Sequence, residues 1–291
     1  MTTSWILAYA GKGNRRDTGV DGMAMGVCTW TLGIDDLELL MDKVLELGFD
    51  GVQVDELWEH VSPAVIRGSL ARRGLAPMVV DARRIGPQAG EAPDVARGVD
   101  AYRQVIDRAA ELEAPVVTLS MLPLWIRGRA TPSNALAAAC RELADYAAER
   151  EIRLVHDVVN HDETPMIHTL DQANRLVGEV ARANFGLMLD SYHLHFEAVD
   201  PVAAIESSGD ALAVYQVSDS TRGGIGSGAV DFEAQFDALL RIGFDGPVIL
   251  ECLPPMHDPV SPVSSEGNRR ILEDELSRSR EIWRGYSSSR R

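Results

Sequence analysis

Four short apolar runs in the second half of this chain each lead to a polar side chain at their far end. They are IRLVHD ending at Asp157, FGLMLD ending at Asp190, ALAVYQVSD carrying Gln216, and PVILE ending at Glu251. Successive polar residues lie 33, 26 and 35 positions apart, about the length of one strand, a crossover helix and a return. If the runs are parallel neighbouring strands, the four side chains converge at one mouth. Three carboxylates gathered there repel one another unless a cation or shared protons offset the charge. A divalent metal is the simplest resolution.

The first half of the chain has the same alternation. Strand-like runs GVCTW (26–30), GVQVDE (51–56), APMVVDA (76–82) and APVVTLSM (114–121) are separated by amphipathic stretches. In the stretch 35–47, Leu37, Leu40, Met41, Val44 and Leu45 recur at helical spacing, and Gly48 follows as a helix stop. Tyr102, Val105, Ile106 and Ala109 mark another helix, and a further one is expected over 166–183. Thr131-Pro132 opens the Ala-rich segment 132–150, Asp200-Pro201 repeats that device, and Asp231 can cap the helix after it. Eight strands near 26, 51, 77, 115, 152, 185, 212 and 247, with helices between them, predict a closed (β/α)8 TIM barrel in a single domain. The turn GFDG recurs at 48–51 and 243–246 and reads as a shared helix-to-strand connector rather than a duplication. The expected organisation is an N-terminal arm over 1–22, the barrel over 23–285 and a frayed Ser/Arg-rich tail over 286–291.

A net charge of −16 argues against nucleic acid or an anionic membrane as partner, because phosphate contacts need clustered Lys and Arg. Cys28, Cys140 and Cys252 are widely spaced in apolar surroundings, as expected of free buried thiols in a reducing compartment. No stretch approaches the roughly 20 apolar residues of a membrane span. The N-terminal apolar patch lacks a basic segment before it, so a cytoplasmic location is expected. Gly11-Lys12-Gly13 lacks P-loop spacing. The expected partner is a small-molecule substrate, with homo-oligomerisation compatible with a barrel bearing terminal arms.

Barrel enzymes build their sites at strand C-termini, which is where Asp157, Asp190 and Glu251 fall. Strand alternation puts His156 on the opposite face, as a satisfied core histidine. Trp30, Trp58 and Trp125 fall near strand ends or in the following loops, where they can wall a pocket. Between about Gly26 and Leu253 the chain resembles the xylose isomerase-like family of TIM barrels, which contains sugar isomerases, epimerases and related dehydratases. MLDSYHL (188–194) resembles that family's LDxxH segment, and DVVNHDET (157–164) its E-P-L-N-R-x-E-T pattern. VYQVSDSTRGGIGSG (214–228) is similar to its strand-seven segment and FDGPVILE (244–251) to its closing strand.

The resemblance implies a divalent metal held by Glu, Asp, His and Glu, which fall here on Asp157, Asp190, Gln216 and Glu251. Two of the four depart from the pattern. Gln216 in place of His gives an all-oxygen set suited to Mg²⁺ or Mn²⁺ rather than zinc. Asp157 is one methylene shorter than Glu, so Glu251 becomes the expected general base and Asp157 the weaker acid/base partner. The resemblance further implies chemistry on a ketose or keto-cyclitol through an enediolate. His193 is expected to polarise or protonate a substrate oxygen, Arg222 to clamp a hydroxyl, carboxylate or phosphate, and Trp30 to line the substrate pocket. Asn160 and Glu163 match the family segment without an assigned role.

Three outcomes follow from that site. A metal-assisted isomerase or epimerase stands first, and a dehydratase on a keto-cyclitol or dehydroshikimate-like substrate shares its enolising step. The departures at Asp157 and Gln216 also motivate a metal-free relative with a binding or altered catalytic role. DNA-repair endonucleases of the same superfamily need a basic groove and more ligands than this acidic chain offers.

Overall fold

A computed structural model describes residues 23–55, 60–128, 130–164, 166–258 and 261–290. The expected arm over 1–22 and Trp58 lie outside the described residues. Eight parallel strands close in sequence order into one barrel: β1 (Met25–Cys28), β2 (Gly51–Val54), β3 (Ala76–Val80), β4 (Val116–Thr118), β5 (Arg153–Val158), β6 (Phe185–Asp190), β7 (Leu212–Val217) and β8 (Val248–Leu250). The helices between them are α1 (Leu37–Glu46), α2 (Pro63–Arg73), α3 (Val95–Leu112), α4 (Pro132–Ala148), α5 (Leu170–Val180), α6 (Ser191–Glu197), α7 (Pro201–Ser208) and α8 (Phe232–Arg241), and α9 (Glu266–Ser289) ends the chain. The expected (β/α)8 barrel is the observed fold.

Strand alternation divides the apolar residues into two layers. Met78, Val116, Val155, Met188, Val214 and Ile249 fill the barrel interior. Their strand neighbours, such as Val80, Val117, Leu154, Leu187 and Leu250, belong to the larger core between sheet and helices. A tightly packed interior leaves the strand ends as the place for polar chemistry.

Local caps fix where each helix begins. The Asp36, Asp94, Asp200 and Asp231 side chains accept from first-turn backbone N–H groups, and Thr169 with Gln172 forms a reciprocal capping box. After α1, Gly48 takes φ +77°, Phe49 N–H returns to Val44, and a Cβ on Gly48 would strike Arg280. Gly243 repeats this with φ +67° and Phe244 N–H on Leu239. Both GFDG segments are thus one connector design.

After β6 the chain turns at once into the short helix α6, with Asp190 as both last strand residue and helix cap. One local expectation is corrected. The C-terminal tail is not frayed: α9 runs to Ser289, and Arg290 pairs with Asp237. Its buried residues Leu272, Leu276, Ser279 and Trp283 form one stripe, and Trp283 stacks on Tyr215 and meets Phe236 edge-on. With Lys43 bonding Glu273 at 3.2 Å, α9 bridges α8 and α1 and completes the helical ring. No helix among the described residues is long and apolar enough to cross a membrane.

Candidate active site

The β6–β7 register sets Asp190 beside Gln216, and Gln216 in turn stands beside Ile249 of β8, two residues before Glu251. All three side chains face the barrel mouth and are buried. Asp157 stands beside Met188 instead, one side-chain layer back from Asp190. Its carboxyl starts one layer deeper yet still feels the charges of Asp81, Asp190 and Glu251.

Arg222 ties the rest together. Its Nη1 lies 2.5 Å from Asp190 Oδ2 and 3.1 Å from Ser218 Oγ, while Nη2 reaches Glu251 Oε2 at 3.5 Å. The guanidinium carbon also lies 4.6 Å from the centroid of the Tyr192 ring. Asp190 Oδ1 accepts from Tyr192 N–H at 2.8 Å and Ser218 Oγ at 3.1 Å. Glu251 Oε1 accepts from the Trp30 indole N–H at 2.8 Å. Trp30 is therefore a buried support for Glu251. Trp125 instead donates to the Ile85 carbonyl and presses on Gly98 of α3.

Strands β1 to β4 bring further polar groups to the same mouth. Asp55, fully buried, accepts from Gln53 Nε2 at 3.1 Å, Cys28 Sγ at 3.2 Å and Thr29 Oγ1 at 3.4 Å. Asp81 accepts from Thr118 and Ser120. The Arg83 guanidinium lies 3.9 Å from the centroid of the Trp30 ring, and against burial, which disfavours its charge, Glu251, Asp55 and Asp81 together hold it charged. Asp55, Asp81 and Arg83 were not among the expected site residues. Asp55 and Asp81 obey the same rule as the other four, since GVQVDE and APMVVDA also carry an acid at the end of an apolar run.

Burial first, and neighbouring carboxylates second, push the carboxyls of Asp55 and Asp157 well above the usual range. Burial also raises Asp81, against the donors that it receives. Among buried carboxylate oxygens of the described residues, Asp157 Oδ1 alone lacks a hydrogen-bond partner. His193, also buried, is pushed down to about 4, chiefly by burial. Its Nδ1 accepts from the Asn160 backbone N–H at 3.2 Å, which leaves the proton on Nε2, 3.9 Å from Glu163 Oε1. Asn160 and Glu163 thereby acquire a place beside His193. His156 faces away from the mouth, as expected, but both its ring nitrogens are buried without partners, so it is not the satisfied core histidine expected. Burial lowers its pKa to about 4.

A divalent ion needs several oxygens turned to one point. Among the described residues no group of three or more His, Cys, Asp or Glu side chains is placed to hold a metal ion. Gln216 turns its amide nitrogen to Gln53 Oε1 at 3.1 Å, and both carboxylates nearest the centre are bound by Arg222. As arranged, Asp157, Asp190, Gln216 and Glu251 do not fit a cation cage. What the mouth offers is a carboxylate pair clamped by a guanidinium, a half-buried carboxyl with one partnerless oxygen and a neutral imidazole donor.

Residues 41–274 match the family model described as xylose isomerase-like TIM barrel. A ketose 3-epimerase of Arthrobacter globiformis is 31% identical over 269 residues, covering 88% of this chain and 86% of that protein. An L-ribulose 3-epimerase of Methylomonas sp. is 35% identical over 147 residues, covering 50% of this chain and 46% of the relative. In fold, a D-allulose 3-epimerase from Methylomonas sp., solved in complex with D-allulose, superposes with a TM-score of 0.76 at 22% identity, covering 91% of this chain and 97% of that one.

Proposed function

This chain belongs to the xylose isomerase-like TIM-barrel family, and from that premise we propose that it is an epimerase or isomerase of small polyhydroxylated carbonyl compounds, with a ketose as its substrate. The observation that carries the proposal is the Glu251 carboxylate, held at the barrel mouth between the Trp30 N–H and Arg222, with the Asp157 carboxyl, whose Oδ1 is buried without a partner, in the same polar cluster. The ketose 3-epimerase of A. globiformis, matched over most of both chains, supports the substrate class.

In the proposed reaction Glu251 takes the proton from the carbon beside the substrate carbonyl, and the bonding pair moves onto the carbonyl oxygen. Arg222 and the Nε2–H of His193 donate to the oxygens of the resulting enediolate, where preorganised donors contribute most. Asp157, kept neutral by burial, returns a proton to carbon. Delivery to the opposite face inverts the centre; delivery to the adjacent carbon isomerises the sugar.

Incubation with D-allulose, L-ribulose and a keto-inositol tests the reading. The expected product has the mass of the substrate. An enone, absorbing in the ultraviolet after loss of water, would make the chain a dehydratase instead.

A further inference from the structure

The proposed enolisation builds negative charge on substrate oxygens, and some cation or set of donors must meet it. Arg222 is built for that place. It sits at φ +63°, a left-handed backbone conformation that a non-glycine residue keeps only where its surroundings impose it. The surroundings do impose it. Asp219 accepts three loop N–H groups, from Ser220, Gly226 and Val230, at 2.7 to 3.0 Å, and Leu253 N–H bonds the Arg222 carbonyl at 2.8 Å. Glu275 and Ser279 of α9 hold Gly224 and Ile225 at 2.9 Å. The loop after β7 is thus braced from two sides, and its guanidinium is aimed back into the barrel with only 18% of the side chain exposed.

The place that it fills lies between the Asp190 and Glu251 carboxylates. Among the described residues no other gathering of ligands is placed to hold a metal ion. Gln216 is drawn away into a chain of amides through Gln53 to Asp55, and Asp157 starts one layer deeper on a shorter arm. A divalent ion brought between Asp190 and Glu251 would meet the charge of Arg222 at close range.

We propose that the Arg222 guanidinium is the resident cation of this site, bridging Asp190 and Glu251 where a divalent ion would otherwise sit, and that the chain turns over its substrate without bound metal. This rests on the enolising function proposed above.

The test is a Mn²⁺ titration of the full chain, purified without chelator, following the electron paramagnetic resonance signal of free Mn²⁺. Elemental analysis is run on the same sample, and activity is assayed before and after EDTA. The expected results are substoichiometric metal, a free-Mn²⁺ signal unchanged by protein, and activity indifferent to EDTA. One equivalent of bound metal, or EDTA inactivation reversed by Mn²⁺, would overturn the proposal. Arg222→Gln should slow proton exchange about 10²- to 10³-fold, with partial recovery in added guanidinium and none in Mn²⁺. Recovery by Mn²⁺, or no loss at all, would count against it. The metal titration needs no substrate, so a chain inactive on every sugar but indifferent to Mn²⁺ defeats the enolase reading alone, whereas an active chain that binds one Mn²⁺ defeats this one alone.

Discussion

Arg222 Nη1 lies 2.5 Å from Asp190 Oδ2, which fixes a residue of the loop after β7 to the last residue of β6. Asp190 is fully buried, so this pair is a charge contact removed from water rather than a surface bridge. The same guanidinium reaches the end of β8 through Glu251, so three neighbouring strand ends are held by one side chain.

Replacing Asp190 by Asn keeps an oxygen to cap α6 but leaves the Arg222 charge without its nearest partner. Breaking one side of a buried pair costs about 3 to 5 kcal/mol. Urea denaturation of Asp190→Asn should show a loss of that order together with loss of activity. A variant as stable as the parent would mean that the pair is solvated in solution.

Trp30→Phe preserves the ring under Arg83 but deletes the N–H on Glu251. A hydrogen bond to a charged group is worth about 1.5 to 3 kcal/mol, so kcat/KM should fall roughly 10- to 100-fold with a native circular dichroism spectrum. Equal kcat/KM in the two proteins would remove Trp30 from the support of Glu251.

His193 should stay neutral as the Nε2–H tautomer across the whole range in which an ordinary histidine titrates, taking a proton only near its lowered pKa of about 4. Nitrogen-15 NMR of ring-labelled protein reads this directly. A ring titrating near 6.5 would show that the imidazole is not buried as described.

His156 makes stability depend on pH. Its pKa is lowered from 6.5 to about 4 in the fold, so the unfolded chain binds the proton first as pH falls. Stability is therefore full above pH 6.5 and is lost progressively down to about pH 4, by at most about 3 kcal/mol. His156→Leu should lose less stability than the parent across that window in denaturant titrations. Parallel curves for the two proteins would assign the acid sensitivity elsewhere.

The barrel was legible because strand-like apolar runs recur eight times with helical stretches between them, several marked by a cap or stop residue, and each repeat is a local signal. The site was legible in part for the same reason, since an acid at the end of an apolar run marks the mouth. Applied to the first half of the chain, that rule would also have found Asp55 and Asp81. Arg83 and the bridging position of Arg222 carry no such signal, because both depend on how a loop turns back over the barrel. The tail was misread because SSSRR is polar by composition, whereas its helix is continued from the stripe ending at Trp283 and held by Arg290 on Asp237. The solitude of His156 also lay beyond sequence reasoning, since alternation gives the face of a side chain and not its partners.

The most direct measurement is proton exchange at carbon in D2O, followed by NMR and mass spectrometry, for the parent chain and Glu251→Gln with D-allulose or L-ribulose. The predicted result is one deuterium, at the carbon beside the carbonyl, in a product otherwise of unchanged mass, with exchange abolished in Glu251→Gln. Exchange at equal rates in both proteins, or none with any polyhydroxylated carbonyl compound, would contradict the assignment of Glu251 as the base of an enolising sugar enzyme.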